Sequence, residues 1–113
     1  MDKIEKYKNL AKQIVLKVAG QANISKRGIS TKIIIDDERG QYLLYHDGWR
    51  EAMRVYGCFL HLEVAENGKI WLQYDGTDLV IGEQLIAQGV PKSDIVVGFH
   101  APFMRQDTEY ALG

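Results

Sequence analysis

The segment from Arg54 to Thr77 constrains the fold most, because polarity alternates at every second residue on both sides of a turn. A period of two predicts strands that bury one face. The residues predicted to face the core are Cys58, Leu60, Leu62 and Val64 on the first strand, and Ile70, Leu72 and Tyr74 on the second. The opposite side would carry Gly57, Phe59, His61, Glu63, Trp71 and Gln73. The segment is therefore predicted to be a β-hairpin with one buried face.

The register of this hairpin follows from the burial pattern. Asn67–Gly68 suggests a two-residue turn, which would set Leu62 against Gln73 and mix apolar with polar residues on one face. A slip of one residue moves a whole strand to the other face, so burial decides between registers. We therefore predict a three-residue loop in which Gly68 forms a left-handed bulge. The predicted pairs are Ala65–Lys69, Val64–Ile70, Leu62–Leu72 and Leu60–Tyr74.

An earlier hairpin has the same design. Ile29–Asp37 and Gln41–Trp49 alternate around a turn that ends in Gly40, which is predicted to be a second glycine bulge. The predicted pairs are Asp37–Gln41, Ile35–Leu43, Ile33–Tyr45 and Ile29–Trp49, with Ile34–Leu44 on the other face. Apolar residues lie on both faces of this hairpin, which predicts that it is central in the sheet or covered on both sides.

Two helices flank the strands. Residues 3–19 have helical periodicity, with Asp2 as the N-terminal cap and Gly20 as the end. A second helix is predicted to begin after Thr77, its N-cap, and to stop at Gly89. The apolar stripe of the first helix is Ile4, Tyr7, Ala11, Ile14 and Val18, widened by Leu10 and Val15. That of the second is Leu79, Gly82 and Ile86, flanked by Ile81 and Leu85.

These elements predict a single α+β domain over residues 1–113. Its order is an N-terminal helix, a four-stranded antiparallel meander of two hairpins, a second helix, a short fifth strand within Asp94–Phe99, and an irregular C-terminal tail. A meander also leaves strand edges with which a second copy could pair. The length of 113 residues is enough for one hydrophobic core.

Composition excludes some classes of function. The formal net charge is −1, from 14 basic and 15 acidic residues, so the chain lacks the basic surplus typical of phosphate-gripping DNA binders. The N-terminal helix is rich in lysine, but Glu5 is interspersed, which favours a solvated face over a DNA-contacting one. The single cysteine fits a reducing cytoplasm. No signal peptide or membrane span is indicated, so we expect a cytoplasmic protein without a membrane partner.

Histidine and cysteine give two candidate reactive sites. His46, His61 and His100 could converge on a metal ion, but none has metal-motif spacing, and we favour surface or hydrogen-bonded imidazoles and no cofactor. Cys58 could be a nucleophile, but its position in the alternation favours a small core residue. The same alternation places His61 on the face opposite Cys58.

Two further groups could carry chemistry. Asp75 and Asp78 flank the start of the second helix and could bind magnesium or act as acid and base, but we favour helix capping. His100 and Arg105 follow the last predicted strand, a common place for a binding loop. No catalytic constellation is apparent from this pattern of residues.

The chain resembles the XisI family, the fdxN element excision controlling factors, essentially from end to end. The blocks that carry the resemblance are Gly48–Trp49, RVYGC at Arg54–Cys58, GKIWLQYDGT at Gly68–Thr77, GVPKSDIVVGFH at Gly89–His100, and Arg105 with Thr108. The chain differs from the family pattern at Ala101, where a proline is usual, and at Asp107, where an aromatic residue is usual. It also has Arg50–Met53 where a short polar turn with glycine is usual.

The resemblance implies an accessory role in programmed DNA excision, as in cyanobacteria. XisI-like proteins act there beside a separate recombinase and a nuclease-like XisH-type protein. We therefore expect a non-enzymatic regulatory protein that binds an XisH-like partner, with DNA contacted only indirectly or weakly. The alternatives are a small metal-dependent hydrolase or nuclease and a direct DNA-binding protein. The residues predicted to bind the partner are His61, Glu63, Trp71, Gln73, His100 and Arg105.

Overall fold

A layer of helices lies on one side of a five-stranded sheet in the computed structural model, which describes residues 2–25, 28–105 and 108–113, with the side chains of residues 22–25 left out. The elements are α1 (Lys3–Ser25), β1 (Ile29–Asp36), β2 (Gln41–Arg50), β3 (Met53–Val64), β4 (Ile70–Asp75), α2 (Ile81–Ala87), a 3₁₀ turn (Lys92–Asp94), β5 (Ile95–Val97) and α3 (Pro102–Arg105). The strands lie in the order β1-β2-β3-β4-β5. Strands β1 to β4 form an antiparallel meander, and β5 pairs parallel to β4. The predicted α+β architecture is confirmed.

The two faces of the sheet differ, because both α1 and α2 pack on the same one. This covered face and its helices supply the core residues Tyr7, Ala11, Ile14, Val15, Val18, Tyr42, Leu44, Leu60, Leu62, Val64, Ile70, Leu72, Ile81, Leu85 and Ile95. The other side, which we call the open face, carries Leu43, Tyr45, Trp49, Tyr56, Cys58, His61, Glu63 and Trp71. Burial of apolar surface on one face alone therefore organises the fold.

Helix α1 begins where the sequence predicts and ends later. The Asp2 carboxylate accepts the Glu5 backbone N–H at 2.8 Å, which confirms the cap. The predicted end at Gly20 is wrong, since the helix continues to Ser25. A glycine ends a helix when it adopts a left-handed conformation, and Gly20 does not have a positive φ. Gly20 is instead an exposed glycine inside the helix.

The β3–β4 hairpin largely has the predicted register. The Ala65 N–H donates to the Lys69 carbonyl at 2.9 Å, and Gly68 has a φ of +81°, as expected for a three-residue loop with a glycine bulge. The pairs Val64–Ile70 and Leu62–Leu72 are confirmed. The pair Leu60–Tyr74 is wrong, because β4 bulges at Gln73 and brings Asp75 opposite Leu60.

The β1–β2 hairpin differs from the prediction by one residue. Asp36, and not Asp37, lies opposite Gln41, so the loop has four residues and every predicted pair is displaced. Three side-chain interactions account for the shift. The Asp36 carboxylate accepts the Arg39 N–H at 3.0 Å, and Asp37 leaves the strand to accept the Tyr42 hydroxyl at 2.8 Å and the Lys12 ammonium at 2.5 Å. Apolar residues on both faces of β1 gave the sequence no burial contrast with which to detect the slip.

Strand β1 is not in the middle of the sheet, and the prediction that this hairpin is central or covered on both sides is wrong. β1 is an edge strand, and its Ile33 and Ile34 are 42% and 47% exposed. Nothing among the described residues covers the open face beside Ile34 in the way that α1 covers the other side.

Helix α2 begins at Ile81, so Thr77 is not its N-cap as predicted. The residue before the helix, Val80, has a left-handed conformation with a φ of +49° and no side-chain cap. The Asp75 carboxylate serves instead: its Oδ2 accepts the Ile81 N–H at 3.1 Å and its Oδ1 accepts the Thr77 N–H and hydroxyl. Capping by Asp75 is thus confirmed. The predicted stop at Gly89 is also confirmed, with a φ of +95°.

A partly buried hydrogen bond joins α1 to the C-terminal half of the chain. The Tyr7 hydroxyl donates to the Asp94 carboxylate at 2.6 Å, and the Lys3 ammonium lies 3.0 Å from the same oxygen. Burial raises the pKa of the Asp94 carboxyl, but the hydrogen bonds from Tyr7 and Lys3 outweigh it and leave that pKa below its ordinary value. Burial and the bond to Asp94 raise the pKa of Tyr7 to about 12.

Gly48 is required by a close approach of two backbones. The Gly28 carbonyl accepts the Trp49 N–H at 3.0 Å, where the chain enters β1. A Cβ added to Gly48 would lie 2.1 Å from the Gly28 oxygen and 2.6 Å from the Ile29 Cα. Only glycine allows β1 to begin at this distance from β2.

We predict opposite effects of alanine at two glycines. Gly48→Ala should lower the free energy of unfolding by about 2–3 kcal/mol, because backbone atoms must move. Gly20→Ala should raise it by about 0.5–1 kcal/mol, since nothing lies within 4 Å of the added Cβ and an exposed helix interior favours alanine. Urea denaturation followed by circular dichroism measures both. A destabilising Gly20→Ala would contradict a helix that continues through this position.

We predict a pH-dependent effect of Tyr7→Phe. The lowered pKa of Asp94 stabilises the fold above the unfolded pKa, and this stabilisation is lost as the pH falls through the folded pKa. Tyr7→Phe removes part of this stabilisation, so the free energy of unfolding of the variant should be lower than that of the wild type by about 1.5 kcal/mol at pH 7. This difference should become smaller below about pH 4. Thermal melts from pH 7 to pH 2 measure the difference. Tyr74→Phe, at an exposed tyrosine, is the control. A decrease in the free energy of unfolding that is the same at every pH would contradict a stabilising bond between Tyr7 and the ionised Asp94.

Candidate partner-binding surface

Aromatic, charged and polar residues alternate along the open face from the β2–β3 turn to β4. Direct cross-strand pairs put them side by side, and such pairs are close enough for their side chains to interact. The pairs between β2 and β3 are Trp49–Arg54, Asp47–Tyr56, Tyr45–Cys58, Leu43–His61 and Gln41–Glu63. The surface continues onto β4 through Glu63–Trp71 and His61–Tyr74.

A bulge in β3 determines which residues reach this surface. Phe59 is the extra residue, since Leu44 pairs with Leu60 and Tyr45 with Cys58. Phe59 and Leu60 both point to the covered side, and the ring of Phe59 stacks on His46 at 3.9 Å. The bulge therefore reverses the alternation of every residue before it.

This reversal corrects two predictions about Cys58. The residue is not part of the core but half-buried on the open face, where burial raises the pKa of its thiol. It lies on the same face as His61 and not on the opposite one, because their partners Tyr45 and Leu43 are two residues apart on β2. A bulge cannot be read from period-two alternation, although Gly57, with a φ of +152°, marks the distortion.

Arg54 organises the end of the surface nearest the β2–β3 turn. Its guanidinium lies 2.8 Å from the Asp47 carboxylate and donates to the Gly48 carbonyl at 3.1 Å. It also lies 5.6 Å from the centre of the Trp49 ring and 4.9 Å from that of Tyr56, within the range of cation–π attraction. Trp49 and Tyr56 are 56% and 65% exposed, so both rings are held in place yet accessible.

The turn beside this patch explains a difference from the family pattern. Glu51 and Ala52 connect β2 to β3, and Glu51 has a φ of +56°. Glycine or asparagine adopts this conformation at a lower cost than glutamate. The glycine that the family resemblance leads us to expect in this connection would therefore suit the same tight turn.

Polar contacts fix the middle of the surface. The His61 Nε2 lies 2.7 Å from the Gln41 side-chain oxygen, and the Gln73 amide donates to the Glu63 carboxylate at 3.2 Å. Burial lowers the pKa of the His61 imidazole, against the opposing charge of Glu63. The lowered pKa favours the neutral imidazole, which acts here as a hydrogen-bonding group.

Arg105, at the end of α3, closes the other end of the surface. Its guanidinium donates to three backbone carbonyls, at 3.2 Å to Gly98, 3.1 Å to His100 and 3.2 Å to Leu112, and lies 5.2 Å from the centre of the Trp71 ring. Trp71 is half-buried beneath this C-terminal segment. Arginine suits such a role, because its planar fork serves several acceptors and stacks on a ring at the same time.

The six predicted binding residues occupy one region. His61, Glu63 and Trp71 lie on the open face, Gln73 binds Glu63, and Arg105 stacks on Trp71 while it holds the carbonyl of the sixth, His100. Sequence reasoning missed the extension of this surface toward the β2–β3 turn, namely Tyr45, Trp49 and Tyr56 beside Arg54. The signal available was their alternation with polar residues, which the bulge obscured on β3.

The three histidines do not converge. His46 stacks on Phe59, His61 binds Gln41 on the open face, and the His100 ring meets Phe99 edge to face. Within the described ranges, no three His, Cys, Asp or Glu side chains are close enough to hold a metal ion. None of the described helices is long and apolar enough to cross a membrane.

Comparison with known proteins identifies the family. The XisI protein family matches residues 1–112. The chain belongs to the XisI family. The crystal structure of an XisI-like protein from Anabaena variabilis ATCC 29413 is 36% identical, with a TM-score of 0.89, over 97% of this chain and 99% of that one. The fdxN element excision controlling factor XisI from the same strain is also 36% identical, with a TM-score of 0.87, over 99% and 100%. No curated protein matches.

The blocks that link this chain to the XisI family have structural roles here. Gly48 allows the backbone crossing, Arg54 anchors the aromatic patch, Asp75 caps α2, and Arg105 closes over Trp71. Gly98 belongs with them, because an added Cβ would lie 2.8 Å from the Gln73 side chain and 3.2 Å from the Trp71 ring. Asp107, where the tail differs from the family pattern, lies outside the described residues.

We predict that Arg105→Lys loosens the segment over Trp71. Lysine retains the charge but cannot serve three carbonyls and a ring together. In a Trp49→Phe background, which leaves Trp71 as the only tryptophan, acrylamide should quench the fluorescence of the Arg105→Lys variant more strongly. The control is Lys92→Arg, since Lys92 pairs with the exposed Glu109 and arginine retains this ion pair. Equal quenching in all three proteins would contradict a closing role for Arg105.

Proposed function

We propose that this chain is a non-catalytic regulatory protein of DNA-element excision, which acts by binding an XisH-like partner through its open face. Membership of the XisI family supports the regulatory part, as does the likeness to a protein described as an excision controlling factor. The partner is inferred from the family resemblance. The structure supplies a surface suited to that role.

The observation that carries the proposal is a sheet face that α1 and α2 do not cover and that displays fixed aromatic rings. Trp49 and Tyr56 are more than half exposed, yet Arg54 holds both. Tryptophan, tyrosine and arginine dominate the residues on which binding energy concentrates. Rings that are already ordered lose little conformational entropy when a partner arrives, so more of the contact energy becomes affinity.

An enzymatic role receives less support, because its best candidate carboxylate is occupied. Both oxygens of Asp75 accept hydrogen bonds, one from Ile81 and the other from Thr77. A general base or magnesium ligand at this position would have to release the cap of α2. Asp75 therefore stabilises the start of the helix and is not poised for chemistry.

Direct DNA binding through α1 also receives less support. Lys3 pairs with Asp94 and Lys12 pairs with Asp37, so part of the lysine charge of the helix is neutralised within the protein. Affinity for DNA phosphates scales with the number of cations that are available to neutralise them. We propose that any contact of this chain with DNA is weak or occurs through the partner.

Co-expression with an XisH-like protein tests the proposal. We predict that the two proteins elute together in size-exclusion chromatography. Tyr56→Ala and His61→Ala should each weaken the complex, and about 2 kcal/mol at a hot spot corresponds to a loss of roughly 30-fold in affinity. Gln88→Ala, at an exposed position just after α2 on the helix side, is the matched control.

The outcomes separate the partner from the surface. Failure of the wild-type proteins to elute together would overturn the proposed partner. A complex that tolerates Tyr56→Ala and His61→Ala as well as it tolerates Gln88→Ala would retain the partner and reject the open face. Circular dichroism of each variant excludes misfolding as the cause of a loss.

A further inference from the structure

The two edges of the sheet differ in how they are protected. At the β5 edge, the Ala111 N–H of the C-terminal segment donates to the Ile95 carbonyl at 2.8 Å, so the tail shields that strand. At the other edge, β1 spans Ile29–Asp36 without a bulge in its pairing to β2 and without proline. Proteins usually protect an edge of this length with such devices, because exposed backbone groups invite another strand.

The hydrogen-bonding direction along β1 follows from one contact. The Trp49 N–H donates to the Gly28 carbonyl at 3.0 Å, in the same register as the β1–β2 ladder. Antiparallel residues alternate between bonding inward and bonding outward. Even-numbered residues of β1 therefore bond to β2, while Ile33 and Ile35 direct their N–H and C=O groups away from the sheet.

The side chains of β1 are also unusual for an edge strand. Ile33 and Ile34 point to opposite faces and are 42% and 47% exposed. Leu16 is 46% exposed. It lies four residues after Lys12, which pairs with Asp37 just beyond the end of β1. Leu16 therefore lies on the β1 side of α1. Apolar surface is thus concentrated along this edge.

We infer that the β1 edge pairs with β1 of a second copy of this chain, antiparallel and about a two-fold axis at Ile34. In this register Ile34 lies opposite its own counterpart, Ile33 opposite the second copy's Ile35, and Lys32 opposite the second copy's Asp36. Each Ile33–Ile35 pair exchanges two backbone hydrogen bonds. One continuous sheet then runs through both copies, with the helices of both on the same side.

Charge selects this register over its neighbours. Lys32 is 60% exposed and lies 3.9 Å from Asp47. Asp36, whose carboxylate also contacts Arg39 at 3.0 Å, lies on the same side of the strand as Lys32, since both have even positions in the ladder. Opposite charges placed directly across a pair are favourable, and like charges are unfavourable. An axis at Lys32 would set two lysines against each other, and an axis at Ile33 would leave each lysine opposite Ile34.

This pairing is independent of the proposed partner. The pairing uses the edge of the sheet, and the partner is proposed to use the open face. Either proposal can therefore be correct when the other is wrong. A dimer would present two open faces on one side of a continuous sheet. The self-association test therefore uses this chain alone.

Cysteine cross-linking tests the pairing and its register. In a Cys58→Ser background, Ile34→Cys places two thiols in a pair whose Cα atoms are roughly 4.5 Å apart, within the range for a disulfide. Ile33→Cys is the matched control, since two copies of position 33 would be offset by two residues and roughly 8–9 Å apart. Both side chains are exposed, so neither change removes core packing.

The expected result is a disulfide-linked dimer on mild oxidation of the Ile34→Cys variant and a monomer for the Ile33→Cys variant. Light scattering should show a mass that rises with concentration for the wild-type protein, and Lys32→Glu should weaken association at least fivefold by facing Asp36. A wild-type protein that stays monomeric, or a cross-link at position 33 and not at 34, would overturn the inference.

Discussion

One extra residue in β3 determines what this protein presents to its surroundings. Without the bulge at Phe59, Tyr56 and Cys58 would share the helix-covered face with Leu60 and Leu62, on the side of the sheet opposite to Tyr45 and Trp49 of β2. With it, hydrophobic burial continues on one face while Tyr56 joins Tyr45 and Trp49 on the other. The bulge lets a single strand serve the core at one end and the open face at the other.

The sequence was most informative where a short-range interaction coincides with a burial contrast. The loop at Gly68 and the cap at Asp2 were predictable, because the residues that form them are adjacent and few alternatives suit them. The register of β1 was not, because Ile33, Ile34 and Ile35 are apolar on both faces and so do not distinguish a four-residue loop from a three-residue one. Asp37 made the difference through contacts with another strand and a helix.

The candidate surface was predictable only in part for a related reason. Its β4 end, with Trp71 and Glu63, follows from simple alternation. Its other end depends on the bulge, and the role of Arg105 depends on carbonyls from Gly98 and Leu112 that the tail brings together. Such interactions arise from tertiary packing, which a pattern in one strand does not encode.

The parallel pairing of β5 divides the chain into parts that differ in how they assemble. Strands β1 to β4 are joined by short turns and need only local contacts, whereas β5 must wait for α2 to cross over before it meets β4. With three residues, β5 adds little to the ladder. Amide hydrogens of β5 and the tail should therefore exchange with solvent through local openings that leave the meander intact. The end of the open face at Trp71 can then rearrange on a faster timescale than the protein unfolds.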